Sequence, residues 1–122
     1  MSVNFYNQLP SLLIANGTST SNAIPASGAG QDNYLITLFA PASLGGDAGL
    51  TYNIEVTDDP VASGSATWSV LQDITTTDMT APLAGKAKVY TELAAVGAFR
   101  IKASGNVTAD RTWRAGKAWT AD

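Results

Sequence analysis

The chain has no cysteine and no histidine in its 122 residues. Their absence excludes disulfides, thiolate nucleophiles, zinc fingers, histidine-ligated haem and every Ser-His or Cys-His catalytic arrangement. Charge is scarce as well: Asp, Glu, Lys and Arg make up 14% of the residues, against roughly 25% in ordinary soluble domains. No apolar run approaches the roughly 18 residues of a membrane helix. The N-terminus has no basic n-region, and the apolar stretch at residues 12–15 is too short for a signal sequence. Synthesis in the cytoplasm is expected, with no membrane partner. What the chain does have is 45% hydrophobic residues, enough for one core in one domain.

Charge sign is segregated along the sequence. Residues 1–31 hold no charged side chain, and residues 32–85 hold seven acids (Asp32, Asp47, Glu55, Asp58, Asp59, Asp73, Asp78) and no base. All seven bases (Lys86, Lys88, Arg100, Lys102, Arg111, Arg114, Lys117) follow, with Glu92, Asp110 and Asp122, for a net charge of −3. Two readings fit this polarity. Complementary patches would meet a neighbour or a sister copy, or opposite charges would sit across adjacent strands of one sheet.

Glycine, proline, serine, threonine and asparagine interrupt short apolar runs at intervals of about eight to twelve residues, the spacing of an all-β sandwich or barrel. Residues 50–57 alternate, with Leu50, Tyr52, Ile54 and Val56 on one face and Thr51, Asn53, Glu55 and Thr57 on the other. That period predicts a strand with one wet face. Residues 99–104 repeat it, with Phe99, Ile101 and Ala103 inward and Arg100 and Lys102 outward. Residues 33–39 are apolar on both faces, which predicts a strand that is central or covered on both sides. Further strands are expected at 67–73, 86–93 and 111–120, the last broken near Gly116, with edge strands at 11–15 and 21–25. The one helix candidate, residues 93–98, is a single turn ended by Gly97.

The expected fold is all-β: a single antiparallel β-sandwich, jelly-roll or immunoglobulin-like, with an extended N-terminal arm. Residues 1–31 read as that uncharged arm or as edge strands, and residues 32–122 as the sandwich. An uncharged Gly/Ser/Thr/Ala stretch resists regular structure without being charged enough for a solvated tail. On the arm reading, its aromatic and aliphatic side chains dock on a neighbouring subunit. On the other, the segment folds onto its own domain.

Candidates for chemistry are few. Asp58 and Asp59 end a strand beside Pro60, where such a pair makes a turn; calcium binding would need Asp47, Asp78 or backbone carbonyls to converge on them. Glycoside hydrolysis needs two carboxyls flanking a sugar, and nothing singles out Glu55 or Glu92 for that work. No phosphate loop occurs. Trp68, Trp113 and Trp119 read as core fillers or, if exposed in a row, as a sugar platform. Arg111, Arg114 and Lys117 beside Trp113 and Trp119 invite comparison with nucleic-acid binding, which the net acidity opposes. No catalytic residue, metal ligand or cofactor is assigned, and an enzyme is not expected.

From Tyr52 to Thr108 the layout is familiar. A strand (52–57) leads into the Asp58-Asp59 turn, then Ser65-Ala66-Thr67-Trp68-Ser69-Val70-Leu71. A connection rich in threonine (Thr75, Thr76, Thr77, Thr80) follows, and then Phe99-Arg100-Ile101-Lys102-Ala103-Ser104-Gly105-Asn106-Val107-Thr108. This resembles the small β-sandwich virion proteins of tailed bacteriophages, especially capsid cement or decoration proteins. The resemblance covers roughly half the chain, and the cysteine-free, Ser/Thr/Ala/Gly-rich composition is similar too. It implies a protein on the capsid surface of the virion that bridges coat subunits without catalysis. Its partners would be the major capsid protein and further copies of itself, with no nucleic acid. Phe5, Tyr6, Leu9, Leu12 and Leu13 would then be anchors, while Arg111, Arg114 and Lys117 would face acidic coat surface or a sister copy. The alternative is a carbohydrate- or receptor-binding sandwich of a phage tail, fibre or extracellular protein.

Overall fold

In a computed structural model, residues 3–25, 35–41, 51–59, 64–74, 87–90, 93, 96–105, 107 and 109–121 are described. They form nine strands and no α-helix: β1 (Val3–Gln8), β2 (Leu12–Ile14), β3 (Ile24–Pro25), β4 (Leu35–Phe39), β5 (Thr51–Thr57), β6 (Ser69–Ile74), β7 (Ala87–Tyr90), β8 (Ala98–Ser104) and β9 (Arg111–Ala121). Two antiparallel sheets result. One runs β1-β9-β4-β7, with β2 also on β9; the other runs β3-β8-β5-β6. The chain changes sheet repeatedly, so most neighbours in a sheet are distant in sequence.

The alternation read at 50–57 and 99–104 is present in β5 and β8. Tyr52 and Ile54 are buried opposite Ala103 and Ile101, and Phe99 opposite the half-buried Val56. From the other sheet Leu12, Ile14, Ile36, Leu38, Tyr90, Trp113 and Ala115 complete one core cluster. The edge of one ring meets the face of the other where Tyr52 and Trp113 bridge the sheets, at 5.3 Å between centroids and 65°. Fully burying side chains of this size stabilises by roughly 1.5–3 kcal/mol each.

Three expectations need correction. The outward face of β5 is not wet throughout, since Glu55 and Thr57 are buried; Arg100 lies on Glu55, and the Asp58-Asp59 turn folds back beside Thr57. Gly116 does not break the last strand: β9 runs unbroken for 11 residues, about 36 Å. The single turn expected at 93–98 does not reach its end: Leu93 lies in a 3₁₀ turn, residues 94 and 95 lie outside the described residues, and Ala98 already opens β8.

The N-terminal segment belongs to the sandwich over residues 3–25, so it forms edge strands, not a free arm. β1 and β2 follow one another along the same edge of β9, with pairs from Val3↔Ala121 to Gln8↔Gly116 and then from Leu12↔Trp113 to Ile14↔Arg111. Between these runs residues 9, 10 and 11 oppose only residues 115 and 114, a one-residue excess at Pro10. The excess inverts the alternation, and Phe5 therefore shares a face with Leu12. The uncharged polar residues are used locally. Asn16 N–H donates to Asp110 Oδ1 at 2.8 Å, Gly17 turns with φ 82° and donates to Val107 O, and Ser21 donates its N–H to Ile101 O while its Oγ accepts from Ile101 N–H. Only glycine takes that φ without strain. Residues 26–31 lie outside the described residues.

Candidate functional site

Opposed residues in a sheet share a face, so the register maps each outer surface. On the β1-β9-β4-β7 sheet, Tyr6 and Leu35 flank Ala118, Thr37 lies between Gly116 and Val89, and Phe39 is opposite Arg114. Leu13 extends the row opposite Thr112. Tyr6 is 59% exposed and Val89 47%, with Leu13 and Leu35 close behind. Tyr6 lies over Gly116, where any Cβ would collide with its ring. The Arg114 guanidinium sits 5.0 Å from the centre of the Phe39 ring, held there by attraction to the ring face. The described side chains of this surface are thus apolar or uncharged around one arginine.

The outer face of the other sheet is built differently. Arg100 Nε donates to Glu55 Oε1 at 2.8 Å across β8 and β5, and the Trp68 ring covers the guanidinium at 4.1 Å. Here opposite charges do sit across adjacent strands. Lys102 and Asp73 both pair with Asn53. The bare apolar group here is Val70, 55% exposed opposite Glu55.

The structure separates the residues expected at an interface. Tyr6, Leu13 and Arg114 share the open face of the first sheet. Leu12 is a core side chain with no exposed surface, and Leu9 packs against the core. Leu12 is thereby excluded as an anchor, because a partner cannot reach it without opening the fold, whereas Leu9 is only partly buried. Arg111 is buried on the opposite side of β9 from Arg114, so Arg111, Arg114 and Lys117 form no single basic group. Lys117 instead lies over the Trp119 ring at 5.2 Å, and Phe5 stacks on the same ring at 5.4 Å and 13°. Sequence reasoning missed Leu35, Phe39 and Val89 as surface residues. The signal was there for Leu35 and Phe39, in a stretch apolar on both faces.

The tryptophans form no row: Trp113 is core, Trp68 lies on one sheet and Trp119 beside Phe5 on the other. Asp58 and Asp59 make the expected turn. Asp59 N–H donates to Thr57 Oγ1 at 3.3 Å, and Gly97 N–H to Thr57 O at 2.9 Å. Among the described residues no three carboxylates gather for a metal; Asp47 and Asp78 lie outside those residues. A cleft of about 560 Å³ lies beside this turn, lined by Val56, Thr57, Asp58, Thr67, Ser69, Val96 and Gly97. Among its described lining residues Asp58 is the carboxylate. No helix among the described residues is long and apolar enough to cross a membrane. No protein-family model matches the chain, and no curated protein matches it.

Proposed function

We propose that this is a non-catalytic structural protein of a virion, a cement or decoration protein that binds the outside of a tailed-phage capsid and bridges its coat subunits. The observation that carries the reading is the open outer face of the β1-β9-β4-β7 sheet, where Tyr6, Leu13, Leu35 and Val89 are exposed around Arg114. Antiparallel sheets with one wet face normally turn polar residues to solvent, and a contiguous apolar patch marks a contact surface. Interface centres are poor in charge and rich in tyrosine and arginine. This face has that composition. The resemblance of residues 52–108 to phage virion proteins supplies the class of partner.

Such a protein acts by mass action. Binding the assembled shell and not its separated subunits stabilises the shell by RT ln(1 + [L]/Kd), about 2.7 kcal/mol at a hundredfold excess over Kd. The test is co-sedimentation of the full chain with assembled shells of the source phage and, separately, with unassembled coat protein. Saturable binding to shells, together with a raised temperature of shell disruption, is expected. Absence of saturable shell binding overturns the reading.

A further inference from the structure

The end strands of an open sheet present unpaired N–H and C=O groups, and proteins protect such edges by shortening, bulging, charging or capping them. Most edges of this molecule carry such a device. The β3 edge is two residues long and ends in Pro25. The β6 edge has a register shift against β5 and carries the exposed Asp73. The β7 edge is four residues long and contains Lys88. On the remaining edge, β2 is capped by Asn22, whose Oδ1 accepts from Leu13 N–H at 2.8 Å while Nδ2 donates to Ser11 O at 2.9 Å.

β1 has none of these devices. Val-Asn-Phe-Tyr-Asn-Gln is six residues long, with no charge, no proline and unbroken register against β9. Among the described residues it pairs with β9 alone. The ladder fixes which of its groups are open. Leu9 N–H donates to Ala115 O at 2.9 Å. Antiparallel bonding alternates, so Asn7 and Phe5 also face β9. Asn4, Tyr6 and Gln8 therefore turn their N–H and C=O groups toward the open edge.

We infer that β1 is the docking edge for a second copy of this chain, with the two β1 strands antiparallel about a two-fold axis and each Tyr6 opposite its counterpart. A two-fold axis normal to the sheet keeps both outer faces on one side, so only residues of like parity can oppose one another. Centred on Tyr6, the pairing also sets Asn4 opposite Gln8, and every open N–H of these residues meets an open carbonyl. Centring on Phe5 sets Gln8 opposite residue 2, outside the described residues. A copy of the same chain is the fitting occupant because an uncharged strand meets itself without repulsion. A charged strand would bury its charges against an edge with nothing to pair them. The pairing also joins the two open outer faces into one surface.

This inference rests on the edge geometry and needs no virion role, so sedimentation equilibrium of the full chain tests it separately from shell binding. A reversible dimer is expected. Gln8→Pro removes an outward N–H and leaves the β9 ladder intact, and Tyr6→Lys sets like charges face to face. Both are expected to lose the dimer while keeping the circular dichroism of the parent. Register is read by oxidising cysteine variants, which the cysteine-free chain makes unambiguous. Phe5 faces Asn7 of the other copy in a non-bonded pair, about 4.5 Å between Cα atoms and within disulfide reach. A mixture of Phe5→Cys and Asn7→Cys should therefore cross-link faster than either variant alone. A wild type that stays monomeric at every concentration overturns the inference, as does a dimer surviving in both Gln8→Pro and Tyr6→Lys. Equal cross-linking in the mixture and the single variants overturns it too.

Discussion

The centre of the outer face of the β3-β8-β5-β6 sheet is covered by its own side chains, with Val70 left bare beside it, whereas the outer face of the β1-β9-β4-β7 sheet is left open. On the first, Glu55, Arg100 and Trp68 stack into a layer that leaves the Glu55 side chain 9% exposed. On the second, Tyr6, Leu35 and Val89 stand in solvent. Both sheets contribute to one core with their inner faces, so the difference does not concern folding. A closed face pairs its polar groups with one another, and an open one leaves apolar area in solvent, which on the proposed function is where a partner binds. Stability should therefore respond to changes on the closed side, and binding to changes on the open side.

The sharpest break in this comparison comes from one substitution made at two glycines. At Gly97 a Cβ would lie 2.6 Å from the carbonyl carbon and oxygen of Asp58 and 2.9 Å from that of Asp59. Backbone must shift there, and Gly97→Ala is expected to cost about 3 kcal/mol in urea unfolding. Next in size is Arg100→Ala. It leaves the buried Glu55 carboxylate without its charged partner and should cost about 2 kcal/mol. Adding Glu55→Ala should recover part of that loss, measured as the coupling energy of a double-mutant cycle. Independent, additive losses would mean that the pair is not a unit.

On the open face the expected stability effects are small. Leu35→Ser and Val89→Thr should each change unfolding free energy by no more than about 0.5 kcal/mol, while weakening binding to phage shells. Smallest of all is Gly116→Ala. The atoms in its way belong to the far end of the Tyr6 side chain, which can swing out over solvent. A cost under about 0.5 kcal/mol is expected, and it should vanish in a Tyr6→Ala background. Comparable costs at Gly97 and Gly116 would erase the distinction between the two sides.

Much of the closed side was legible in the sequence because β5 and β8 alternate cleanly and lie next to each other. The sandwich class followed from them and from the spacing of turn residues. The N-terminal strands were harder to read. The extra residue at Pro10 inverts the alternation between Phe5 and Leu12, so no single period runs through residues 3–14 and the stretch looks like an arm. Gly116 read as a strand breaker, yet it is the place where the far end of the Tyr6 side chain lies over β9. The open face was hidden by topology. Tyr6, Leu13, Leu35, Phe39, Val89 and Arg114 come from five strands, and only the β1-β9-β4-β7 order brings them together. The basic trio failed for a simpler reason: residues 111 and 114 on one strand have opposite parity and face opposite ways.

The central claim is that the open face, and not merely any exposed apolar residue, contacts the partner. Val89 and Val70 allow a matched test, since they are 47% and 55% exposed on the two opposite outer faces. On the proposed cement role, binding of Val89→Lys and Val70→Lys to assembled tailed-phage shells, at equal protein concentration, is the direct measurement. The account predicts that Val89→Lys loses binding and that Val70→Lys binds as the parent does. Equal binding by both variants, or loss confined to Val70→Lys, would contradict it.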